Sequence, residues 1–166
     1  RNRATPKFAD TSTRRRVDAS TRPRFRNYRP RGSHYPRGHT IKLFHYEAHG
    51  DEANPPILLI MGFGAQLTLW PDELVEALAN HGFRVIRYDN RDIGLSHKFD
   101  GVKAPGLVKM TLLSKIGLTP KVPYTLADMA DDGAGLLDAL GIAKAHIVGA
   151  SMGGMIAQHF ASRHAD

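Results

Sequence analysis

Near the carboxyl end of the chain a short apolar run, Ala145-His146-Ile147-Val148, leads into Gly149-Ala150-Ser151-Met152-Gly153. Met155, Ile156 and Phe160 then recur at helical spacing, so the pattern predicts a strand, one tight turn and a helix, with a serine at the crest. A turn that sharp forces the serine backbone into a strained conformation and crowds the residues two before and two after it. Side chains at those positions would collide, which is the physical reason for Gly149 and Gly153. The same turn pushes the Ser151 hydroxyl out at the carboxyl end of the strand, and the following helix points its first N–H groups at any negative charge that develops there. A G-x-S-x-G pentapeptide alone arises by chance in glycine- and serine-rich loops. The flanking strand and helix make this one a candidate nucleophile.

Upstream, the chain alternates strand and helix signals. His39 to Tyr46 roughly alternates as a half-buried strand should, and Gly50 to Pro56 reads as a turn. Ile57-Leu58-Leu59-Ile60-Met61 is continuously apolar, which suits a parallel strand covered on both faces. A helix is expected from about Pro71, with Asp72 and Glu73 at its positive end and Leu74, Val75 and Leu78 as its apolar stripe. It stops at Asn80-His81-Gly82, and Phe83 to Tyr88 reads as the next strand. Residues 97–124 read as an irregular loop over the site, with a short helix from Val108 to Leu113. Thr125 and Asp128 have capping-box spacing, and Leu126, Met129, Ala130, Gly133, Leu136, Leu137 and Leu140 then form a helical stripe. Gly133 on that stripe lets the helix approach a sheet closely. The fold class expected is α/β, a mostly parallel sheet with flanking helices.

Charge divides the chain. Residues 1–39 hold 12 of the 23 Lys and Arg but only 2 of the 16 Asp and Glu, leaving 11 basic against 14 acidic residues in the remainder. Residues 1–38, with Arg14-Arg15-Arg16 and a Pro-punctuated basic run, lack the apolar periodicity needed to bury a core. A solvated tail is favoured there over an Arg-rich targeting peptide or an arm that binds nucleic acid or anionic surfaces. Residues 39–166 form the folded unit. The chain has no cysteine, so a thiolate nucleophile and cysteine-ligated metals are excluded and the chemistry rests on Ser, His, carboxylates or backbone groups. No apolar run approaches the roughly 20 residues that span a bilayer, so a soluble protein, cytoplasmic unless the basic segment directs it to an organelle, is expected.

Four motifs in order, Ile57 to Gly64, Trp70-Pro71-Asp72, Val85 to Ser96 with its Asp-x-Arg-x-x-Gly-x-Ser loop, and Gly149 to Gly154, resemble the amino-terminal half of the α/β-hydrolase superfamily. The Met-Gly turn, the Trp-Pro pair and the loop from Asp89 to Ser96 are most similar to aclacinomycin-methylesterase-like and proline-iminopeptidase-like members. The resemblance implies a partial α/β-hydrolase fold, truncated after the helix that follows the serine. It implies Ser151 as nucleophile and backbone N–H groups of Phe63 and Met152 as the oxyanion hole. It also implies an acid and a histidine downstream of Ser151, beyond residue 166, so that the chain alone is expected to be inactive. No cofactor and no metal are implied. Where this turn commonly begins His-Gly in the superfamily, here it is Met61-Gly62.

Other signals carry less. His159 and His164 lie on the helix after Ser151 and read as surface or interface histidines. His45 and His49 fall on a strand, where an i, i+4 spacing does not converge on a metal. Asp131-Asp132 read as a solvated helix face, and Asp89 and Arg91 as a structural ion pair or loop brace. Gly62-Phe63-Gly64 lacks the further glycine and lysine of a phosphate loop. Two functions remain open: a serine hydrolase acting on a small-molecule ester or amide, and a non-catalytic binding protein of the same fold, its basic arm engaging nucleic acid or another anion.

Overall fold

A computed structural model describes residues 44–98, 115 and 122–165. The basic segment 1–38, the helix expected over 108–113, and the first part of the strand expected over 39–46 lie outside the described residues.

The elements run β1 (Tyr46–His49), β2 (Pro56–Ile60), a single 3-10 turn (Leu67–Leu69), α1 (Asp72–Asn80), β3 (Arg84–Tyr88), α2 (Leu126–Ala139), β4 (His146–Gly149) and α3 (Met152–Arg163). They build a four-stranded sheet in the order β1-β3-β2-β4. β2 pairs in parallel with β3, Ile60 opposite Tyr88, and with β4, Ile60 opposite Gly149. β1 pairs antiparallel to β3 and forms the far edge.

The continuous apolar run of β2 is explained by its central place. Leu58 and Ile60 point to one face, where they meet Ile86, Tyr88 and the α2 and α3 residues Met129, Ala130, Leu136, Leu137, Ile156 and Phe160. Ile57, Leu59 and Met61 point to the other, against Trp70, Val75 and Val85. Period-two alternation has therefore become invisible in sequence, because both faces are dry. The crossover from β2 through α1 to β3 runs one way along the sheet, and the crossover from β3 through α2 to β4 runs back the other way, past β2. Crossovers of one hand that run in opposite directions place their helices on opposite faces, as α1 and α2 are.

Local chemistry explains the ends of the helices. Thr125 caps α2 in a complete capping box: its Oγ1 accepts from Asp128 N at 3.2 Å, and Asp128 Oδ2 accepts from Thr125 N at 2.8 Å. Gly133 is the point of closest approach. A Cβ there would lie 3.3 Å from Phe160 and 3.4 Å from Leu58 and the Tyr88 hydroxyl. In α1 the buried stripe is Val75 with Leu78 and Ala79, whereas Leu74 is 40% exposed. Leu74 lies one residue, about 100°, off the Val75 direction, and a nine-residue helix presents only one such stripe to the sheet.

The expected solvated face of Asp131 and Asp132 is wrong: each is 2% exposed. The helix α2 is covered by α3 as well as by the sheet, so it has little solvated face to offer. Asp132 receives Arg91 Nε at 2.6 Å. Asp131 receives Arg163 through two bonds of 3.0 and 2.8 Å and also meets His164 Nε2 at 2.9 Å.

Candidate active site

Register places the site. Because Ile60 lies opposite Gly149, the turn leaving β2 at Met61-Gly62 faces the turn leaving β4 at Ala150-Ser151, both at the carboxyl ends of parallel strands. Ala150 N donates to Ile60 O at 3.0 Å and carries the ladder one residue past β4. Sites on open α/β sheets form where connections diverge to either side in this way.

Ser151 occupies the corner between β4 and α3 with φ 55° and ψ −121°. Ser151 and Asp92 are the non-glycine residues with positive φ among the described residues. For an L-residue such backbone costs on the order of 1–3 kcal/mol and persists only where the surroundings impose it. The surroundings do. A Cβ on Gly149 would strike the Gly153 carbonyl, and one on Gly153 would strike the Ile60 carbonyl, both rigid backbone groups. Gly153 N donates to Ala150 O at 2.8 Å and Gly154 N to Ser151 O at 2.9 Å, closing the turn into the helix. The Ser151 side chain is exposed.

Across from it, Gly62 is the contact residue. A Cβ at position 62 would lie 3.1 Å from Ser151 Cβ and 3.5 Å from its Oγ. Phe63 follows immediately, its ring 87% exposed. Ala65 N donates to Gly62 O at 3.4 Å, and Gly64 at φ 71° completes the turn. Met152 opens α3 one residue after the serine. The structure thus brings Ser151, the Gly62-Phe63 turn and the start of α3 together.

His159 and His164 stand apart. They lie eight and thirteen residues after Ser151, His159 within α3 and His164 just past its end rather than on it, about 12 and 20 Å away at the helical rise. His159 is exposed, and His164 contacts Asp131. Among the described residues the Ser151 hydroxyl has no hydrogen-bond partner, and no group of three or more His, Asp and Glu is placed to hold a metal ion.

Behind the turn, the loop from Asp89 to Ser96 acts as a brace. Asp89 Oδ1 accepts from Leu67 N at 2.7 Å and Oδ2 from Leu95 N at 3.0 Å. Ser96 Oγ donates to Asp89 O at 2.5 Å and accepts from His45 N at 3.0 Å. Gly94, at φ 48°, sits where any Cβ would enter the Asp89 carboxylate. Asn90 Nδ2 donates to Met61 O at 2.8 Å. Arg91 turns away from Asp89, into the core, where it also donates to Asp128 O at 3.0 Å and lies 4.8 Å from the centre of the Tyr124 ring. The brace expected of Asp89 and Arg91 is therefore present, but the two do not brace each other.

Burial sets the electrostatics here. Burial pushes the Asp132 carboxyl up to about 7, Arg91 opposing the shift. Tyr124 is pushed up to about 12, by burial first and then by its hydrogen bond to Asp92. Burial also raises Tyr88.

The sequence of residues 55–166 matches the model of the alpha/beta hydrolase fold family, well over half of the chain. The chain belongs to the α/β-hydrolase family. Among curated relatives of this α/β-hydrolase chain, rhodomycin D methylesterase DauP of a Streptomyces species is 38% identical over 112 residues, covering 68% of this chain and 32% of that protein. A putative carbamate hydrolase, RutD of Caulobacter vibrioides, is 34% identical over 129 residues, 76% of this chain and 40% of that protein. Among solved structures, the enol-lactonase of Burkholderia xenovorans superposes with a TM-score of 0.56 at 35% identity, covering 74% of this chain and 39% of that one. The α/β-hydrolase chain thus spans between 32% and 40% of these relatives. No helix among the described residues is long and apolar enough to cross a membrane.

Proposed function

We propose that this α/β-hydrolase is a serine hydrolase of small carboxylic esters, with amides as the weaker alternative. The observation that carries the reading is the strained Ser151 backbone, φ 55°, set opposite a glycine whose Cβ would press on Ser151. Strain of this kind, imposed by backbone contacts on both sides, is retained where it presents a reacting group. The Ser151 Oγ attacks the substrate carbonyl carbon and a base takes its proton. The N–H groups of Phe63 and Met152 hold the resulting oxyanion. Collapse expels the alcohol and leaves an acyl-enzyme, which water cleaves to the acid and free serine. The names of the relatives, a methylesterase, a putative carbamate hydrolase and an enol-lactonase, all concern an acyl group joined to oxygen or nitrogen.

The base is proposed to be a histidine, oriented by an Asp or Glu, both following Ser151 beyond residue 166 in the family's order. On that reading residues 1–166 alone turn over an ester roughly 10⁶-fold more slowly than the full-length protein, since serine and histidine act as a unit. The test is fluorophosphonate labelling of the full-length gene product followed by peptide mapping. Label on Ser151, lost in Ser151→Ala, is the expected result. An unlabelled Ser151 removes the catalytic reading.

A further inference from the structure

The turn that faces Ser151 is gripped at both ends by two consecutive residues that follow β3. At the carboxyl end of β3, Asn90 Nδ2 holds Met61 O at 2.8 Å, where the turn begins, and Asp89 Oδ1 holds Leu67 N at 2.7 Å, where it ends. Both residues are 2% exposed, so neither bond competes with water.

We infer that Asn90 is a positioning residue for the oxyanion hole, setting the direction of the Phe63 N–H by holding the Met61 carbonyl. The inference rests on the functional reading above. A peptide unit is planar, so fixing the Met61 carbonyl fixes the whole Met61–Gly62 plane, leaving only the two dihedrals of Gly62 between that plane and the Phe63 N–H. Gly62 is tightly placed: a Cβ there would press on Ser151 Cβ at 3.1 Å and on Ala150 O at 3.2 Å, displacing one or the other by a few tenths of an ångström. Glycine, however, is the residue least able to hold its own dihedrals. Asn90 anchors the plane on the near side of Gly62 while Asp89 anchors the far end of the turn at Leu67, which narrows the range the Gly62 dihedrals can take. An oxyanion donor must be aimed before charge develops, and a misplacement of about 1 Å costs on the order of 10²-fold in rate.

The experiment uses the full-length gene product and four proteins: wild type, Asn90→Asp, Asn90→Leu and Asn90→His. Aspartate keeps the shape and donates to Met61 O only when protonated, so it is read at a pH where it is ionised; leucine removes the donor at every pH. Histidine keeps an N–H at the δ position. Expected for Asn90→Asp and Asn90→Leu is a fall in kcat of about 10–100-fold with KM within about threefold, together with an equal weakening of a trifluoromethyl ketone, which binds as the tetrahedral oxyanion. Asn90→His is expected to rescue most of the lost turnover. Unchanged kcat in folded Asn90→Leu overturns the inference. So does a parallel loss in all three variants with KM and inhibitor weakening together, or failure of all three to fold, since either makes Asn90 a packing residue. A wild type that hydrolyses no ester and takes no fluorophosphonate at Ser151 removes the functional reading itself, and the inference with it. Wild-type activity with unaffected variants removes the inference alone.

Discussion

Arg91 and Asp132 stand 41 residues apart in the chain and meet in its core, the guanidinium Nε donating to the carboxylate across 2.6 Å. Their side chains are 0% and 2% exposed. The bridge ties the loop after β3 to the middle of α2, so the brace behind the site is anchored in the main core.

Removing one partner leaves the other buried without its counter-charge, and Arg91→Met is expected to cost about 3–5 kcal/mol. The double variant Arg91→Met with Asp132→Leu removes both charges and is expected to recover a large part of that loss. Urea unfolding of the protein at pH 7 measures both. Equal stability of Arg91→Met and wild type would contradict a buried pair.

The same carboxyl makes stability depend on pH. Its folded value, about 7, stands above the ordinary aspartate value of 3.8, so the folded state holds this proton more tightly than the unfolded state does. The contribution is fully present below about pH 4 and is lost as pH rises through about 7. Asp132→Asn lacks that dependence. The stability gap between wild type and Asp132→Asn, read from urea midpoints at pH 5, 6 and 8, is expected to move in favour of the variant as pH rises.

Ser151 stores backbone strain, and glycine at that position relieves it. Ser151→Gly is expected to raise stability by about 1–2 kcal/mol while abolishing fluorophosphonate labelling. Thermal unfolding and labelling of the same preparation show whether the two effects travel together.

Two adjacent glycines respond differently. A methyl on Gly153 strikes the Ile60 carbonyl, whereas one on Gly154 meets nothing nearer than Gly149 O at 3.5 Å. Gly153→Ala is expected to cost about 3 kcal/mol or more. Gly154→Ala, inside α3, is expected to be neutral or to gain up to about 1 kcal/mol from helix propensity. Denaturant midpoints of the pair distinguish them, and equal losses would show that α3 packs differently.

Local signals are legible in the sequence, and long-range pairings are not. The capping box at Thr125 and Asp128 and the close approach at Gly133 depend on neighbours a few residues away or on a helical stripe. Both follow from spacing alone. Asp131 and Asp132 look solvated because their partners, Arg163 and Arg91, lie 32 and 41 residues away. No periodicity reports such a pairing. Leu74 reads as core in sequence because an apolar residue beside Val75 fits the same stripe at low angular resolution. In the site, Ser151 and its glycines announce themselves, since a sharp turn excludes side chains. Asn90 does not, because an asparagine after a strand is equally at home in any loop. Only the fold shows that its amide reaches Met61.

The clamp formed by Asp89 and Asn90 also limits how such a protein can be rebuilt. The segment from Met61 to Leu67 has its two ends fastened to the dipeptide that follows a neighbouring strand, so it is not an independent module. A loop transplanted there from another hydrolase arrives without its fastenings unless the dipeptide after β3 is moved with it. Loop exchange at this position is a two-segment operation, and libraries that diversify residues 62–66 should hold 89 and 90 constant or vary them jointly.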